Sequence, residues 1–375
     1  MELSIGPLDI DHLLGLAAVC LVVLGLVVTF RKFRPMKIVP YIFPSSYARG
    51  LEAKLLKTGQ IQELAGSESF ESFVEILSRT GYGQYLRGAK SYSDVERVLS
   101  QRFVETCQSV SETFLRGKRA PLDAYLRKWD IKNLKSVVRG VYNHLEPAET
   151  LQMIVPVGGL SLVLLQKAAE AKDRESLSSI FRGTEFGPLL EKLAVEYGQK
   201  GFIAFDSALD KLMFEAMDTG FRKVPALERF LGAWKDLTNI QTAIRAKTEG
   251  LSKEELAGLL LSGGSVLSGS RVRRLVEAEG VEEILNAIAL TPYSEVIREA
   301  VRRCDEWKSL VPLDVAVNEI LVGKAKEMGA EPVGMGVVLS YIIALEYEIA
   351  LIKSIARGKE EGLGAEELAA RIVAW

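Results

Sequence analysis

One helical pattern occurs three times along this chain and constrains its fold more than any other feature. In each copy an acidic residue on a largely apolar helix face is followed nine positions later by an arginine. The three acids lie 106 and then 112 residues apart, whereas the units of short solenoid repeats run about 20 to 50 residues. The pattern therefore predicts three copies of a domain-sized unit. The pairs are Asp130 and Arg139, Asp236 and Arg245, and Glu348 and Arg357.

A second motif, threonine followed two positions later by an aromatic residue, lies between these helices. A threonine hydroxyl can cap a helix by accepting a backbone N–H bond. Pro292 would suit the first helical position, where the missing N–H costs nothing. We therefore expect a helix to begin at each motif. The three copies are Thr80-Gly81-Tyr82, Thr184-Glu185-Phe186 and Thr291-Pro292-Tyr293.

The order of the two motifs predicts how the units are divided along the chain. The N-terminal part has a threonine motif with no acid-bearing helix before it, and the C-terminal part has the helix with no threonine motif after it. We predict whole helical units at residues 119–225 and 226–332. Residues 45–118 and 333–375 would then come together as the third, split unit.

Apolar spacing predicts helices nearly throughout these units. Leu126, Leu134, Val137 and Val141 fall on one face of a helix, and glycines and prolines mark the breaks between segments. No alternating pattern of convincing strand length occurs. The predicted fold class is all-α.

Residues 13–30 form an uncharged apolar run that predicts one N-terminal transmembrane helix. Eighteen residues at about 1.5 Å each span roughly 27 Å, close to the ~30 Å hydrocarbon layer of a bilayer. Arg31, Lys32, Arg34 and Lys37 follow the run, so the positive-inside rule places the body on the cytoplasmic side of the cell membrane and the N-terminus outside. Membrane lipid is thus an expected partner of residues 13–30.

Two other interpretations of this run are less favoured. A cleaved signal peptide should begin with a basic segment, and here the preceding residues are acidic. A buried core helix is disfavoured because the run is apolar on every face. Pro35, Pro40 and Pro44 predict an extended, non-helical connection to the body. Residues 1–44 are therefore predicted to be a transmembrane helix with a proline-containing linker.

The repeated acids need partners. Asp130 falls within the apolar stripe of its helix, and a buried carboxylate is costly unless it is paired or hydrogen-bonded. Nine residues turn a helix by 900°, so each arginine points away from the acid of its own helix. Each acid must therefore meet a group on another helix, such as a backbone N–H at a helix start. A proton relay is an alternative role, but a structural role is favoured. The candidate structural residues are Asp130, Asn133, Arg139, Asp236, Asn239, Arg245, Glu348 and Arg357.

No enzymatic or cofactor motif is present in the sequence. The two histidines, His12 and His144, have no partner at metal-ligand spacing, so no zinc site is supported. The glycine pairs Gly158-Gly159 and Gly263-Gly264 lack the Gly-Lys-Ser/Thr of a nucleotide loop and are interpreted as helix–helix turns. A net charge of −2 gives no basic surface for nucleic acid. We expect no catalytic residue, no metal, no cofactor and no small-molecule substrate.

The repeated motifs resemble a known family. The segments LRKWDIKNLKSVVRG with VPVGGLS, WKDLTNIQTAIRAKTEG with LSGGS, and LEYEIALIKSIARGKEEG are similar to the C subunits of archaeal and bacterial V-type (A-type) ATPases, whose eukaryotic counterpart is the d subunit of the vacuolar enzyme. The resemblance covers roughly residues 45–375. It implies three similar all-helical domains in a pseudo-threefold funnel. It also implies a non-catalytic rotor adaptor that joins the D/F-type subunits of the central stalk to the proteolipid ring.

Two further expectations follow from the resemblance. The funnel should be lined by polar and charged groups, and the transmembrane helix should sit in or near the central opening of the proteolipid ring, with a loosely placed lipid anchor as the alternative. A different function stays open as well, that of a membrane-tethered helical scaffold recruiting other cytosolic proteins. Three near-equal units favour the adaptor, because open scaffolds add shorter repeats in a line.

Overall fold

The computed structural model describes residues 19–23, 35–86, 88–195, 199–364 and 368. Within these residues all regular secondary structure is helical, with no strand, which confirms the predicted all-α class. The helices from residue 35 onward are α1 Pro35–Glu52, α2 Thr58–Ala65, α3 Phe70–Ser78, α4 Tyr92–Glu112, α5 Ala120–Tyr142, α6 Pro147–Gln152, α7 Leu162–Ala169, α8 Arg174–Ile180, α9 Gly187–Val195, α10 Gln199–Phe221, α11 Pro225–Thr248, α12 Lys253–Leu259, α13 Ser270–Glu277, α14 Val281–Ala287, α15 Ser294–Trp307, α16 Val311–Gly329 and α17 Met335–Glu360.

Six long helices form a closed ring. Helices α4, α10 and α16 each lead through a short turn into α5, α11 and α17, the three helices that carry the repeated acids. Each of these central helices then packs on the long helix of the next pair: α5 on α10, α11 on α16, and α17 on α4. The last contact joins the C-terminal helix to the N-terminal half of the chain. The ring therefore closes only when both ends of the chain come together.

The helices around α17 come from the N-terminal segment. Helix α17 packs on α1, α2, α3 and α4. The short helices α3, α8 and α14 follow N-cap residues Ser69, Asp173 and Gly280, each of which lies 11 residues before a threonine motif. These contacts and spacings are what the split-unit hypothesis requires. The unit boundaries themselves stay a prediction.

Each threonine of the repeated motif closes a turn on the helix before it. The hydroxyls of Thr80, Thr184 and Thr291 donate to the carbonyl three residues back at 2.6, 2.7 and 2.7 Å. Helices α9 and α15 begin three residues after the second and third threonines. The described residues after Thr80 form turns instead, and Pro292 lies in the turn before α15, so these two expectations were wrong. A hydroxyl bonded to the preceding helix does not need a helix to follow it.

The predicted non-helical linker was also wrong, because Pro40 and Pro44 lie inside helix α1. Inside a helix, proline removes one backbone hydrogen bond and its ring clashes with the carbonyl four residues back. Tertiary contacts offset that cost here: Pro44, Ser45 and Ala48 are buried, and the backbone N–H of Gly334 donates to Ser45 Oγ at 3.0 Å. Packing against the start of α17 therefore overrides the local preference.

The predicted transmembrane run lies mostly outside the described residues. Residues 19–23 of it are helical and exposed. Among the described helices, one is long and apolar enough to cross a membrane by composition, Met335–Glu360. Because 83% of its apolar window is buried inside the protein, that helix, α17, is the core helix of the ring.

Candidate functional site

The first repeated acid, Asp130, is buried on α5 and binds the turn that precedes α7. Its Oδ2 accepts the backbone N–H of Gly159 at 2.7 Å, and its Oδ1 accepts that of Leu160 at 2.9 Å. Burial raises the pKa of the Asp130 carboxyl, and the two backbone hydrogen bonds oppose that rise. Both carboxylate oxygens are thus used to hold one turn against the central helix.

The second acid, Asp236 on α11, repeats this geometry. Its oxygens accept the backbone N–H groups of Val266 at 2.8 Å and Leu267 at 2.9 Å, in the turn before α13. The phenol of Tyr293, the aromatic residue of the third threonine motif, also donates to it at 3.2 Å. Burial again raises the pKa of Asp236 despite these hydrogen bonds.

The third acid, Glu348 on α17, finds its partners in the N-terminal segment. The backbone N–H of Leu56 and the phenol of Tyr82 each donate to it at 2.5 Å. Tyr82 is the aromatic residue of the first threonine motif, as Tyr293 is of the third. Burial raises the pKa of Glu348. In all three copies the carboxylate accepts at least one backbone N–H, and in the second and third it also accepts a tyrosine phenol. In the third copy these hydrogen bonds join the two ends of the chain.

Two asparagines add a second tie in the first two copies. Asn133 donates to the carbonyl of Val155 at 2.8 Å and accepts its N–H at 2.9 Å. Asn239 makes the same pair of bonds with Leu261, both at 2.8 Å. The corresponding position on α17 is Leu351, which cannot make them. The paired hydrogen bonds of the asparagine side chain therefore occur only in the first two of the three copies.

Glycines allow the turns to approach the acids. A Cβ at Gly158 would overlap the carboxylate of Asp130, and a Cβ at Gly264 would overlap that of Asp236. These two glycines are 106 residues apart, the offset of the acids themselves. The glycine pairs interpreted as helix–helix turns therefore provide space for backbone donors beside a buried carboxylate.

The repeated arginines bind elsewhere. Arg139 pairs with Asp206 on α10, and Arg245 pairs with Asp314 on α16, each at 2.5 Å. Arg357 pairs with Glu361 at 2.9 Å. All three guanidinium groups are largely exposed, so solvent screens these pairs and they contribute little to stability. They lie at the C-terminal ends of the central helices.

A cavity of about 740 Å³ lies between the central helices and is lined by α5, α10, α11, α16 and α17. Its lining follows the internal repeat: Lys128, Trp234 and Glu346 are equivalent positions, separated by 106 and 112 residues like the acids. Four residues further along each helix, Lys132, Thr238 and Ala350 form the next layer. We call this space the central cavity, and its first layer, Lys128, Trp234 and Glu346, the cavity floor.

The cavity floor contains an ion pair whose Lys128 and Glu346 side chains are 9% and 15% exposed, next to the rings of Trp234 and Tyr125. Lys128 Nζ lies 2.5 Å from a Glu346 oxygen, the Tyr125 phenol donates to the same carboxylate at 2.8 Å, and the Trp234 ring centroid lies 5.4 Å from Lys128 Nζ. Burial lowers the pKa of Lys128 to about 8 although Glu346 opposes the shift. Burial would raise the pKa of Glu346, but Lys128 and Lys132 reverse this and lower it. These contacts link α5 directly to α17.

The central cavity opens toward the C-terminal ends of the central helices. Toward those ends the lining side chains of Lys132 and Arg245 are 55% and 43% exposed, whereas that of Lys128 is 9% exposed. Lys135 pairs with Asp210 at 2.7 Å on the wall. Apolar side chains from α10 and α16 also line the space, so the lining is mixed and the expectation of a polar funnel was too simple. These apolar residues are Met213, Val317 and Leu321.

Sequence reasoning did not identify the cavity floor. A signal was available, because aligning the copies at offsets of 106 and 112 places Lys128, Trp234 and Glu346 at one position. Their side chains differ in charge and shape, so the equivalence is invisible as a motif. Within the described part of the chain, no cluster of three His, Cys, Asp or Glu residues is placed to hold a metal ion.

These features define a class: an all-helical protein in which three helices, each with a buried acidic residue, enclose a cavity. Comparison with known families gives the family. Residues 44–371 match the model of the ATP synthase (C/AC39) subunit, and the chain belongs to this family. It is therefore part of an archaeal-type rotary ATPase, a membrane-associated complex of several subunits.

Curated proteins of the same family are similar to this chain over most of its length. The A-type ATP synthase C subunit of Methanocaldococcus jannaschii is 28% identical over 90% of this chain and 87% of the relative. The corresponding A-type ATP synthase C subunits of Pyrococcus abyssi and Pyrococcus furiosus are 29% and 30% identical, over 88% and 86% of this chain and 90% and 87% of the relatives.

Proposed function

We propose that this chain is the non-catalytic adaptor of the rotary ATPase, coupling the D/F-type subunits of the central stalk to the proteolipid ring during ATP-linked ion transport. The observation that carries the proposal is the central cavity, which lies between the three central helices and contains the Lys128–Glu346 pair in its lining. A cavity enclosed by the repeated helices can hold a partner that turns with them.

The size of the central cavity supports a helical tip as its occupant. An α-helix with side chains is about 10–12 Å across and rises about 1.5 Å per residue, so 740 Å³ holds roughly one to two turns. Lys132 is half exposed on the cavity wall and lies 3.5 Å from Glu346, longer than the 2.5 Å of the Lys128 pair. It is therefore available to an acidic group on the inserted tip.

The closed ring supports a mechanical role. Load applied to one central helix passes to the next through packed helix pairs, and the Lys128–Glu346 pair links the first and last of them directly. Interiors packed at crystal-like density transmit strain with little compression. In this proposal the buried acids are structural rather than members of a proton relay, since each one holds a turn or the far end of the chain.

The membrane side of the proposal rests on the position of α1. Helix α1 packs at the N-terminal end of α17, where Ser45 contacts Gly334, whereas the central cavity opens toward the C-terminal ends. A membrane segment at residues 13–30 would thus lie at the closed end, with the body in the cytoplasm and the N-terminus outside. We place that segment in or near the central opening of the proteolipid ring, because a helix turning outside the ring would meet the stator.

Titration with purified stalk subunits tests the adaptor. We expect binding at micromolar concentration or tighter, and Thr238→Trp, which fills the cavity wall, should weaken it at least tenfold, about 1.4 kcal/mol. Leu290→Trp is the matched control, because that side chain is 90% exposed and outside the cavity. Absence of saturable binding, or equal binding by both variants, would contradict the proposal. Recovery of cytosolic proteins other than ATPase subunits would favour the scaffold alternative.

A further inference from the structure

The charges that line the central cavity do not cancel. The lining contains four cationic side chains and three carboxylates, so one positive charge is left over. The extra charge has a definite place, because most of these groups are already paired. The cations are Lys128, Lys132, Lys135 and Arg245, and the carboxylates are Asp210, Asp314 and Glu346.

The extra positive charge lies at Lys132. Lys135 and Arg245 each have a carboxylate of their own, at 2.7 and 2.5 Å. The remaining two lysines share Glu346, which lies 2.5 Å from Lys128 and 3.5 Å from Lys132. Because the Lys132 side chain is half exposed and that of Lys128 is buried, Lys132 is the cation that a partner can reach.

An aromatic ring holds the Lys132 ammonium in position. Its Nζ lies 4.3 Å from the centroid of the Trp129 ring, and that ring packs on Phe103 with centroids 5.1 Å apart. A cation over an aromatic face is attracted by the charge distribution of the ring. The lysine is therefore already placed for a partner and loses little conformational freedom on binding.

The equivalent positions on the other two central helices carry no charge. Thr238 and Ala350 follow Lys132 at the offsets of the repeated acids, 106 and then 112 residues, and both line the central cavity. The walls from α11 and α16 also contribute the apolar side chains of Trp234 and Val317. A cavity lined by three repeated helices thus carries its net charge on one side only.

We propose that this one-sided charge fixes a single orientation of the stalk helix that enters the central cavity. The helix would carry an acidic side chain that binds Lys132, and apolar side chains on the face directed toward α11. The inference rests on the proposed function, in which the occupant belongs to the central stalk. It adds the chemistry of the occupant and the way in which it is oriented.

The other orientations are disfavoured by a missing partner. Turned toward Thr238 or Ala350, the acidic group would lose water without gaining a cation, and burying an unpaired charge is costly. Specificity is the difference in free energy between the right and the wrong arrangement, so this penalty counts as well as the gain at Lys132. A stalk held in one orientation would turn the body without slipping between the three similar walls.

Three equivalent sites at the mouth of the central cavity allow the orientation to be measured. Asn143, Glu249 and Glu361 are exposed and are the C-cap residues of the three central helices. Each is replaced in turn by cysteine and spin-labelled in the full-length Cys20→Ala protein, whose two other thiols are buried. Distances are then measured to one label placed to the side of the purified stalk subunits. We expect a single narrow distance distribution at each site, with a different mean at each.

Substitution of Lys132 tests the cause. Lys132→Thr gives the first copy the residue of the second, and it should weaken stalk binding about three- to tenfold and produce more than one distance at each site. Lys132→Arg keeps the charge and should keep the single distance. Lys167→Thr removes an exposed lysine on α7 outside the cavity and should change the affinity less than about twofold. Thermal unfolding shows that each variant is folded.

Two results would overturn the inference. One is several distances at each site in the wild-type complex, and the other is a single unchanged distance in Lys132→Thr. Both leave the adaptor function standing, because the stalk subunits still bind. Absence of binding by the wild-type protein would contradict the adaptor function together with this inference.

Discussion

The backbone N–H of Leu56 donates to Glu348 at 2.5 Å although the two residues are 292 positions apart. Leu160 donates the corresponding bond to Asp130, and Val266 donates it to Asp236. In both pairs the two residues are only about 30 positions apart. One local interaction is thus repeated twice within continuous chain and once between the chain ends. The long-range copy lies beside the packing of α17 on α1 and α4 that closes the ring.

The first prediction concerns Asp130. Asp130→Asn leaves one oxygen for two backbone donors and points an amide N–H₂ at one of them. Because hydrogen bonds to charged groups contribute about 1.5–3 kcal/mol, the free energy of unfolding should fall by about that amount. Urea denaturation at pH 7 measures it. Asp123→Asn, on the same helix but half exposed and paired with Arg119, is the control and should cost at most about 1 kcal/mol. Equal losses would show that burial of Asp130 is unimportant.

The second prediction concerns Gly264. Gly264→Ala places a methyl group against the carboxylate of Asp236, and overpacking of this kind costs about 1–3 kcal/mol. Gly323→Ala is the matched substitution, because Gly323 lies inside α16 with open space beside it. Alanine there should stabilise the protein by about 0.8–1.0 kcal/mol. Thermal or urea unfolding of the two variants should therefore give opposite signs, and the same sign would contradict the close approach.

The third prediction concerns the ion pair of the cavity floor. Removing one partner of a buried pair costs about 3–5 kcal/mol, so Lys128→Met and Glu346→Gln should each be strongly destabilising. The double variant should lose less than the sum of the two, since no unpaired charge remains. The exposed pair Lys253 and Glu279, at 2.5 Å, is the control and should show a much smaller coupling, because solvent screens it. A double-mutant cycle from urea unfolding measures both couplings, and additive losses at the floor would refute its role.

The fourth prediction is a pH dependence at Asp236. Burial raises its pKa in the folded state above the unfolded value of about 3.9, so the folded state binds the proton more tightly. Stability from this group is fully present below the unfolded pKa and is lost as the pH rises through the folded pKa. Asp236→Asn cannot titrate. The stability difference between wild type and variant should therefore be larger near pH 4 than at pH 7.

Urea titrations of both proteins between pH 4 and pH 7 test this. A difference that is constant, or that grows toward neutral pH, would mean that the hydrogen bonds from Val266 and Leu267 outweigh burial and hold the pKa of Asp236 down.

Some of the site could be predicted from the sequence and some could not. A carboxylate in the apolar stripe of a helix needs hydrogen-bond partners, because burying an unpaired charge is costly. Arg139 lies half a turn away from Asp130 on the same helix, so helix geometry excludes it as the partner. The donors themselves, Gly159 and Leu160, could not be predicted, because they lie in a turn whose approach depends on the packing of α7. The need for glycine at position 158 could not be predicted for the same reason, because it arises from the closeness of this turn to Asp130.

Helix α1 and the cavity floor illustrate the opposite case. Three prolines in residues 35–44 favour an extended linker locally, yet the contacts of Ser45 and Ala48 with the body hold that segment as a helix. At the cavity floor, Lys128 and Glu346 belong to no recognisable sequence motif. They form an ion pair only because the fold brings α5 and α17 into contact.

The sequence by itself determined the all-helical class, the three copies of the acid-bearing helix and the family, because apolar periodicity, turn residues and motif spacing are local properties of the chain. The tertiary structure alone decided which groups the acids bind, that a proline-rich segment is a helix, and that a lysine, a tryptophan and a glutamate at equivalent positions form the floor of one cavity. Those outcomes depend on contacts between segments that are far apart in the sequence. The free energy of these contacts outweighs the conformational preferences of the individual residues, so neighbouring residues in the sequence do not predict them.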